Sequence, residues 1–387
     1  MKQTIEQIDV AGKRVLMRVD FNVPMQDGEI TDDRRIQMAL PSIMSVLDRG
    51  GQLTLMSHLG RPSGTGFEKA YSLAPVAKRL GELLGRTVVC SDEDVTSDIV
   101  LLENLRFNKG EKEGDVTFAK QLAKNGDVYC NDAFGTAHRN HASMVAVPEE
   151  MKDKPRVVGL LLAKELQYLD HAIANAQKPF VAVLGGAKVS DKMGAIEHLL
   201  GKVDTIIIGG AMAYTFLEAQ GIDVGMSHVE RDRIEDAKSI VAAASSSSTA
   251  LLFPSDHTCA QEIAEGTQVL VSSVSIPSGW MGLDIGPETM QRYTSLLRSA
   301  KTIIWNGPMG VFEIPPFDAG TRDIANAIAE ASEHGAISII GGGDSGAAIS
   351  AFGLEQEMTH ISTGGGASLQ MLEGKTFKSV AMLDDAV

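Results

Sequence analysis

Two lysines that follow a pair of glycines are the sharpest chemical feature of the sequence. In LGGAKVSDK, the glycines Gly185 and Gly186 come directly after an apolar run, and Lys188 and Lys192 follow them. A glycine turn that opens a helix exposes backbone N–H groups, which favour phosphate. Lysines four apart share a helical face, where their charges repel unless an anion lies between them. The segment predicts a phosphate site, with two solvated lysines as the alternative. It is not a Walker A loop, because GxxxxGK[ST] is absent.

A second glycine-rich loop, GGGDSGAA, follows the apolar run AISII. Gly341, Gly343 and Gly346 fit GxGxxG, which is typical of dinucleotide-binding proteins. That fingerprint also needs an acidic residue about 20 positions later to bind the ribose. Ser362 and Thr363 stand there instead. The glycine pattern alone is therefore weak support for a nicotinamide cofactor.

Two carboxylates near these loops suit a nucleotide. Asp344, inside the second loop, is placed to meet a magnesium–phosphate complex directly or through water. The alternative interpretation is that Asp344 caps the next helix, and one residue can fill both roles. In WNGPMGVFE, Asn306 ends a predicted strand and Glu313 could accept a ribose hydroxyl. Taken alone, Glu313 would count as a surface charge.

Basic side chains recur beside predicted strand ends in the first half of the chain. A guanidinium group offers a planar fork that matches carboxylate or phosphate oxygens. In a chain of net charge −15, a series of such arginines predicts a built anion site. The neighbouring Arg34 would point elsewhere on a helix. Histidines in an HxxH pattern supply only two zinc ligands, so we expect hydrogen bonding to a substrate. The arginines are Arg35, Arg61, Arg106 and Arg139, and the histidines are His58, His138 and His141.

Strand-like apolar runs alternate with helical stretches along the chain, which predicts an α/β fold with parallel sheets. Ligands bind outside the carboxyl ends of such strands. The first-half runs lead into Asp, Asn, His and Arg, whereas most second-half runs end in glycine. The runs are RVLMRVD, QLTLMSH, DIVLLEN, DVYCND, PFVAVLGG, TIIIGG, ALLFPSD, TIIWNG, AISIIGGG and HISTGGG.

The length and composition of the chain limit the classes of protein to which it can belong. A chain of 387 residues predicts two domains, and the segment 163–179 has the apolar spacing of a helix that joins them. Three distant cysteines argue against a disulfide framework. The start of the chain has no apolar signal segment and no run is long enough to span a membrane, so we expect a cytoplasmic protein. The acidic charge disfavours binding to nucleic acid or anionic membrane.

Taken together, the motifs resemble the phosphoglycerate kinase family along the whole chain, in the family's order and spacing. Ser345 stands where many members have threonine, and Met226 where many have lysine. The motifs are RVDFNVP (18–24), DDRRI (32–36), SHLGRP (57–62), LLENLRF (101–107), DAFGTAHR (132–139), GGAKVSDK (185–192), GGAMAYTF (209–216), WNGPMGVFE (305–313), GGGDS (341–345) and STGGGAS (362–368).

The resemblance implies phosphoryl transfer between 1,3-bisphosphoglycerate and MgADP, giving 3-phosphoglycerate and MgATP. It implies a catalytic role for Arg35, Lys188 and Lys192, with Asp344 nearest the magnesium ion. The implied phosphoglycerate site comprises Asp20, Asn22, Arg35, His58, Arg61, Arg106 and Arg139, to which we add His138. The implied nucleotide site comprises Lys192, Gly210, Asn306, Glu313, Gly342, Gly343, Asp344 and Ser345.

The resemblance also implies a monomer of two doubly wound, Rossmann-like domains that face each other across a hinged cleft. We expect a phosphoglycerate-binding domain over 1–165 and a nucleotide-binding domain over 166–371. The tail, 372–387, should pack back onto the first domain. We expect the hinge near 163–179 and 362–372. Two other functions stay open at this stage, an NAD-dependent dehydrogenase and a non-catalytic sugar-phosphate binding protein.

Overall fold

The chain divides into two compact units. A computed structural model of the protein describes residues 1–92 and 96–386. The first unit comprises Met1–Gln167 together with Thr376–Val387, and the second comprises Tyr168–Lys375. Within the described residues, no helix is long and apolar enough to cross a membrane.

The first unit is built on a parallel sheet. Its strands are β1 (Arg14–Val19), β2 (Met25–Gln26), β3 (Glu29–Ile30), β4 (Gln52–Met56), β5 (Val89–Cys90), β6 (Ile99–Leu101), β7 (Val128–Asp132) and β8 (Arg156–Val158). Its helices are α1 (Arg34–Leu47), α2 (Ala74–Leu84), α3 (Gly110–Glu113), α4 (Val116–Ala123), α5 (Val147–Glu150) and the start of α6 (Leu160–Ala174). The described strands form a six-stranded sheet in the order β5-β6-β4-β1-β7-β8, and β2 pairs with β3.

Strand β1 lies in the middle of this sheet, and its nearly apolar sequence agrees with that buried position. It pairs in parallel with β4 and β7, in the registers Arg14↔Gln52 and Val15↔Val128. Strands buried on both faces read as nearly continuous apolar runs, and RVLMRV is such a run except for Arg18. Arg18 is nevertheless fully buried, so its charge must be met by partners inside the unit.

The second unit contains a parallel sheet and a smaller antiparallel one. Its strands are β9 (Phe180–Leu184), β10 (Thr205–Ile208), β11 (Ala250–Leu252), β12 (Asp256–Ala260), β13 (Leu270–Ser273), β14 (Met281–Ile285), β15 (Thr302–Asn306), β16 (Ile337–Gly341) and β17 (His360–Ile361). Its helices are α7 (Met193–Leu199), α8 (Met212–Ala219), α9 (Ile234–Ser245), α10 (Pro287–Ser299), α11 (Ala319–Glu333), α12 (Gly343–Phe352) and α13 (Gly366–Leu372). The sheet orders are β11-β10-β9-β15-β16-β17 and β13-β12-β14.

All ten apolar runs singled out in the sequence contain strands of the two parallel sheets, so the predicted α/β class is confirmed. The antiparallel sheet β12–β14 was not predicted. Its strands carry polar residues such as His257 and Thr258, and β13 alternates exposed and covered positions. A small cluster of its own, including Tyr214, Cys259 and Ile276, packs beneath it. Such short mixed strands lack the continuous apolar signal of a buried parallel strand.

The helix predicted over 163–179 exists, but its bounds differ. Helix α6 begins at Leu160, because Leu160 and Leu162 donate their N–H groups to Ser42 Oγ at 2.8 Å and Asp132 Oδ1 at 3.0 Å. These acceptors satisfy backbone groups that a helix start leaves open. The helix ends at Ala174, before Pro179. It starts in the first unit and ends in the second.

The end of the chain belongs to the first unit, where the last helix is α14 (Lys378–Ala381). Ser379 donates its hydroxyl to the Ala137 carbonyl at 2.6 Å. Arg156 forms an ion pair with Asp384 at 3.0 Å. These contacts attach the chain end beside β8 and the residues that follow β7.

Asp132 should give the protein a measurable dependence of stability on pH. Burial raises the pKa of this carboxyl to about 6, although hydrogen bonds from Ser42 and from the start of α6 act to lower it. The folded state therefore holds the proton to a higher pH than the unfolded chain does. The stability contributed by Asp132 is full below about pH 4 and is lost as the pH rises to about 6. We expect Asp132→Asn to remove this loss of stability between about pH 4 and pH 6.

The measurement is a set of urea unfolding curves of both proteins at several pH values. Two pKa units correspond to about 2–3 kcal/mol, so the difference in unfolding free energy between the two proteins should change by that amount across the window. A difference that does not vary with pH would show that Asp132 titrates normally.

Candidate active site

The carboxyl ends of the strands in the first unit carry a cluster of basic side chains, which we call the basic cluster. Asp20 follows β1 directly and accepts a hydrogen bond from Arg35 Nη1 at 2.7 Å. Arg35 lies in the first turn of α1 and is partly exposed. Its neighbour Arg34 turns to Asp32, 2.6 Å away, and is exposed. The two adjacent arginines therefore face different partners, as expected for successive helical positions.

A buried chain of polar contacts lies behind Asp20. His58 Nδ1 is 3.9 Å from Asp20 Oδ1 and 3.1 Å from Nη2 of Arg18. Arg18 Nε donates to Ser143 Oγ at 2.9 Å. The Ser143 hydroxyl and N–H group donate to the two oxygens of Glu111, at 2.7 and 3.0 Å. Glu111 thus supplies a buried negative charge near the arginines.

Arg106 and Arg139 complete the basic cluster. Arg106 Nη1 donates to the Gly60 carbonyl at 2.6 Å, and the Gly60 N–H group donates to Asn22 Oδ1 at 2.8 Å. Burial, together with the nearby charges of Arg139 and Arg18, lowers the pKa of Arg106 to about 10. Crowded buried cations of this kind would be stabilised by an anionic ligand.

The histidines of the basic cluster are held neutral near pH 7. Burial lowers the pKa of His58 well below its usual value, and the charges of Arg18 and Arg106 act in the same direction. Burial also lowers the pKa of His138 and brings that of His141 to about 4. Neutral imidazoles can donate or accept hydrogen bonds but carry no proton to release as acids in this range.

The structure therefore brings together most of the residues predicted in the first unit. Direct contacts or charge interactions connect Asp20, Asn22, Arg35, His58, Arg106, His138 and Arg139. Arg61 follows Gly60 in sequence and is exposed. Arg18, Ser143 and Glu111 were not predicted. A charged residue in the middle of a buried strand could have indicated Arg18, whereas Glu111 carries no comparable signal in the sequence.

The second unit contains a cavity of about 670 Å³ at the carboxyl ends of β9, β15 and β16. Its wall consists of the glycine loops that follow these strands, together with the first residues of α12 and α13. The predicted residues that line it are Lys188, Lys192, Asn306, Gly342, Gly343, Asp344 and Ser345.

The prediction that Lys188 and Lys192 share a helical face was wrong. Helix α7 begins at Met193, so Lys188 and Lys192 lie on the loop and turn before it. The first hydrogen bonds of α7 run back to the Val189 carbonyl, from Lys192 N at 2.9 Å and Met193 N at 3.1 Å. The loop nevertheless places both lysines on the cavity wall. Lys188 is exposed, whereas burial lowers the pKa of the half-buried Lys192.

Two glycines allow the strand ends to meet closely. Gly307 has φ +99°, and a Cβ there would lie 2.2 Å from the Gly185 carbonyl oxygen. Gly210 has φ +65°, and a Cβ there would lie 2.5 Å from Gly186 N. Only glycine tolerates both the positive φ and the contact. The first glycine loop, which lines the cavity, can therefore pack closely against the ends of β10 and β15.

The second glycine loop opens α12. Gly342 precedes the helix with φ +90°, and no side chain caps the helix start within this described segment. Asp344 is exposed in the first turn and Ser345 is buried. Ser345 Oγ accepts a hydrogen bond from the Gly307 N–H group at 2.6 Å, which joins the second glycine loop to the loop after β15. The Asp344 carboxylate is therefore free of the capping role and faces the cavity it lines.

Two predicted nucleotide residues lie off the cavity wall. Gly210 packs against Gly186 behind the loop, and Glu313 is exposed in the turn after β15. Among residues not predicted, Glu373 and Lys375 line the cavity and form an ion pair at 2.5 Å. Asn306 lines it as well, and its buried Nδ2 lacks a hydrogen-bond partner among the described residues. An amide donor left open beside a glycine loop suits an oxygen-rich ligand.

Comparison with known proteins decides the family. A family model described as phosphoglycerate kinase matches residues 5–375. The phosphoglycerate kinase of Rhodopirellula baltica is 56% identical over the whole of both chains. The chain belongs to the phosphoglycerate kinase family. The phosphoglycerate kinase of Thermosipho africanus is 51% identical over 99% of this chain and 98% of its own.

Solved structures of phosphoglycerate kinases have the same fold. The structure from Coxiella burnetii has a TM-score of 0.90 at 40% identity, and covers 99% of this chain and 98% of its own. The structure from Pyrococcus horikoshii has a TM-score of 0.84 at 31% identity, with the same coverage. The resemblance seen in the motifs is thus confirmed along the chain. The glycine pattern at 341–346 belongs to a phosphoglycerate kinase loop rather than to a dehydrogenase fingerprint.

Proposed function

We propose that the chain performs the reaction of its family, the reversible transfer of a phosphoryl group from 1,3-bisphosphoglycerate to ADP, giving 3-phosphoglycerate and ATP. The enzyme is a phosphotransferase with a carboxyl group as acceptor. The observation that carries the proposal is the family match over residues 5–375. It is supported by a separate place for each substrate, the basic cluster in one unit and the glycine-walled cavity in the other.

The phosphoglycerate binds at the basic cluster. Within the described residues, this cluster contains four guanidinium groups, those of Arg18, Arg35, Arg106 and Arg139, and the carboxylates of Asp20 and Glu111 lie near them. The excess of positive charge suits a ligand with a carboxylate and a phosphate. Arginine forks and neutral imidazole groups supply directed hydrogen bonds to both.

The nucleotide binds at the cavity of the second unit. The backbone N–H groups of the loops at 185–187 and 342–345 would meet its phosphates, as glycine turns before helices commonly do. Lys192 and the open Nδ2 group of Asn306 lie on the same wall. Gly210 would act indirectly, by letting the loop after β9 pack closely. A ribose contact by Glu313 stays a prediction.

The reaction needs little acid–base chemistry from the protein. In the direction of ATP use, a carboxylate oxygen of 3-phosphoglycerate attacks the γ-phosphorus, and the bond from phosphorus to the β,γ-bridging oxygen breaks. The acceptor is already ionised, so no proton has to be removed. The low pKa values of the histidines agree with this, since neutral imidazoles serve as hydrogen-bonding groups. Positive charge from Arg35, Lys188 and Lys192 stabilises the transferring group.

Magnesium fits the residues beside the phosphate loop. Among the described residues no three His, Cys, Asp or Glu side chains are grouped to hold a metal. Mg²⁺ commonly binds through one or two carboxylates together with nucleotide phosphates, and Asp344 supplies such a carboxylate on the cavity wall. When bound with the nucleotide, the ion would neutralise charge on the β- and γ-phosphates.

We expect Asp344→Asn to raise the magnesium concentration needed for half-maximal activity and to reduce turnover, because the amide is a weaker ligand. Binding of 3-phosphoglycerate alone should not change. Glu288→Gln, which removes an exposed carboxylate from the first turn of α10 and outside the cavity lining, is the matched control. A magnesium titration that is unaltered in Asp344→Asn would leave Asp344 without a role at the metal.

In-line transfer requires the reacting atoms to come within about 3–3.5 Å, so we propose that the two units close when both substrates bind. The hinge would involve α6 and the residues near 362–372. Small-angle scattering tests this with 3-phosphoglycerate and a non-hydrolysable ATP analogue, separately and together. We expect each ligand alone to reduce the radius of gyration only in part. An unchanged radius in the ternary complex would argue against closure.

A coupled assay tests the proposed reaction. Purified protein should consume ATP in the presence of 3-phosphoglycerate and magnesium, and should lose this activity when magnesium is chelated. Fluorescence titration with NADH provides a counter-test, because a dehydrogenase would bind that cofactor. We further propose a cytoplasmic monomer that binds neither nucleic acid nor membrane, consistent with the net charge of −15. Absence of ATP-dependent turnover would reject the function.

A further inference from the structure

The loop that carries the two active-site lysines is fastened from outside the cavity by Glu230. Residues 189 and 190 lie between Lys188 and Lys192 in the chain. Glu230 Oε1 accepts the Ser190 hydroxyl at 2.7 Å, and Oε2 accepts the Ser190 N–H group at 3.1 Å. The Val189 N–H group helps to lower the pKa of the same carboxyl. One side chain therefore accepts both donors of Ser190, its hydroxyl and its N–H group.

The charge state of Glu230 suits this task. Burial by itself raises the pKa of the carboxyl, but the hydrogen bonds from Ser190 and Val189 outweigh it and the pKa lies below its usual value. Hydrogen bonds to an ionised acceptor are about twice as strong as those between neutral groups. Glu230 is thus an ionised acceptor for both donors of Ser190 near neutral pH.

Glu230 is itself held by the second unit's framework. Its N–H group donates to Thr215 Oγ1 at 3.1 Å, and Thr215 is a buried residue of α8. The start of the same helix holds the other end of the loop, because Met212 N donates to the Gly186 carbonyl at 3.0 Å. Helix α8 therefore fixes the lysine loop at two points, once directly and once through Glu230.

Fixing Val189 and Ser190 also fixes Lys192. The first two N–H groups of the following turn, from Lys192 and Met193, both donate to the Val189 carbonyl. A shift of Val189 would therefore move the start of α7 together with the half-buried Lys192. Misplacement of a reacting group by about 1 Å can cost 10²-fold in rate.

We propose that Glu230 is a positioning residue for phosphoryl transfer, which holds the loop of Lys188 and Lys192 in the geometry that receives the nucleotide phosphates. This inference rests on the proposed function. It concerns a side chain that does not line the cavity and that would touch neither substrate.

The test compares Glu230→Ala with three other proteins: the parent, Ser190→Ala, and the control Glu235→Ala. Glu235 lies five residues away in α9 and is exposed, and its carboxylate forms a surface ion pair with Lys238. Isothermal calorimetry with MgADP, calorimetry with 3-phosphoglycerate, and steady-state kinetics are measured on each full-length chain. Thermal unfolding records whether each variant is folded.

We expect Glu230→Ala to bind MgADP about tenfold more weakly and to turn over about 10- to 100-fold more slowly, with unchanged affinity for 3-phosphoglycerate. Ser190→Ala, which loses only the hydroxyl bond, should show a smaller loss of the same kind. The control should match the parent. Should Glu230→Ala fail to fold, Ser190→Ala alone decides, because it keeps the carboxylate and the hydrogen bond from the Ser190 N–H group.

Two results would overturn the inference. One is a folded Glu230→Ala whose MgADP affinity and turnover lie within twofold of the parent. The other is an equal loss of affinity for both substrates, which would mean that Glu230 only supports the fold. A parent that binds MgADP but does not consume 3-phosphoglycerate would instead reject the proposed function, and the MgADP titrations would still test Glu230.

Discussion

Arg35→Ala should lower kcat by about 10²–10³, comparable to the loss of one donor that stabilises charge in a transition state. Arg35 is the arginine of the basic cluster in the first turn of α1, joined to Asp20 at 2.7 Å. It is partly exposed, and Asp20, which loses this partner, still lies near the positive charge of Arg106. We therefore expect the loss mainly in turnover rather than in stability.

Arg34→Ala is the matched control, since it removes the same side chain one residue away. Arg34 faces Asp32 and is exposed. Exposed ion pairs contribute about 0–1 kcal/mol, so this variant should keep nearly full activity and stability. Steady-state kinetics with both substrates would separate the two variants. Equal losses from the two would mean that Arg35 acts only through the general charge of this surface.

Lys188→Ala should have an effect of similar size, about 10²–10³ in kcat. The lysine is exposed on the cavity wall, and in the proposed reaction it meets the transferring phosphoryl group. An interaction made chiefly in the transition state lowers kcat more than it raises KM for the nucleotide. Lys188→Arg should recover part of the activity, because it keeps the charge but not the compact geometry of the ammonium group.

The control for Lys188 is Lys202→Ala. Lys202 lies in the turn after α7, close to His198, and does not line the cavity. Its removal should leave kcat and KM unchanged. A Lys188→Ala protein with normal kcat and a raised KM for ATP would instead make Lys188 a ground-state binding residue.

Much of the fold could be predicted from the sequence, because parallel strands buried on both faces appear as continuous apolar runs. The run FVAVL is the fully buried strand β9, and TIIWN is the fully buried strand β15. The sheet formed by β12, β13 and β14 could not be predicted in this way. Its residues, such as Asp256 and Ser272, are polar and their burial depends on tertiary contacts. In such strands, tertiary packing rather than the intrinsic β-propensity of the residues decides the structure.

Within each unit, the predicted site residues lie close together because the carboxyl ends of parallel strands share one edge of the sheet. The sequence could not indicate how those residues are held. Lys188 and Lys192 line one cavity through a loop rather than through a helix, which the four-residue spacing suggested. Glu111 and Glu230 lie far in sequence from the groups they contact, so only the folded chain reveals them. The roles of the individual site residues stay predictions until the variants are measured.

In the proposed enzyme, the two units carry separate sites for the two substrates. Calorimetry with one variant in each unit tests this separation. Arg139→Ala should weaken 3-phosphoglycerate about 10- to 100-fold and leave MgADP binding unchanged, because it removes charged hydrogen bonds from the basic cluster alone. Lys192→Ala should do the reverse. If each variant weakened both ligands to the same extent, or if Arg139→Ala weakened only the nucleotide, the division between the units would be contradicted.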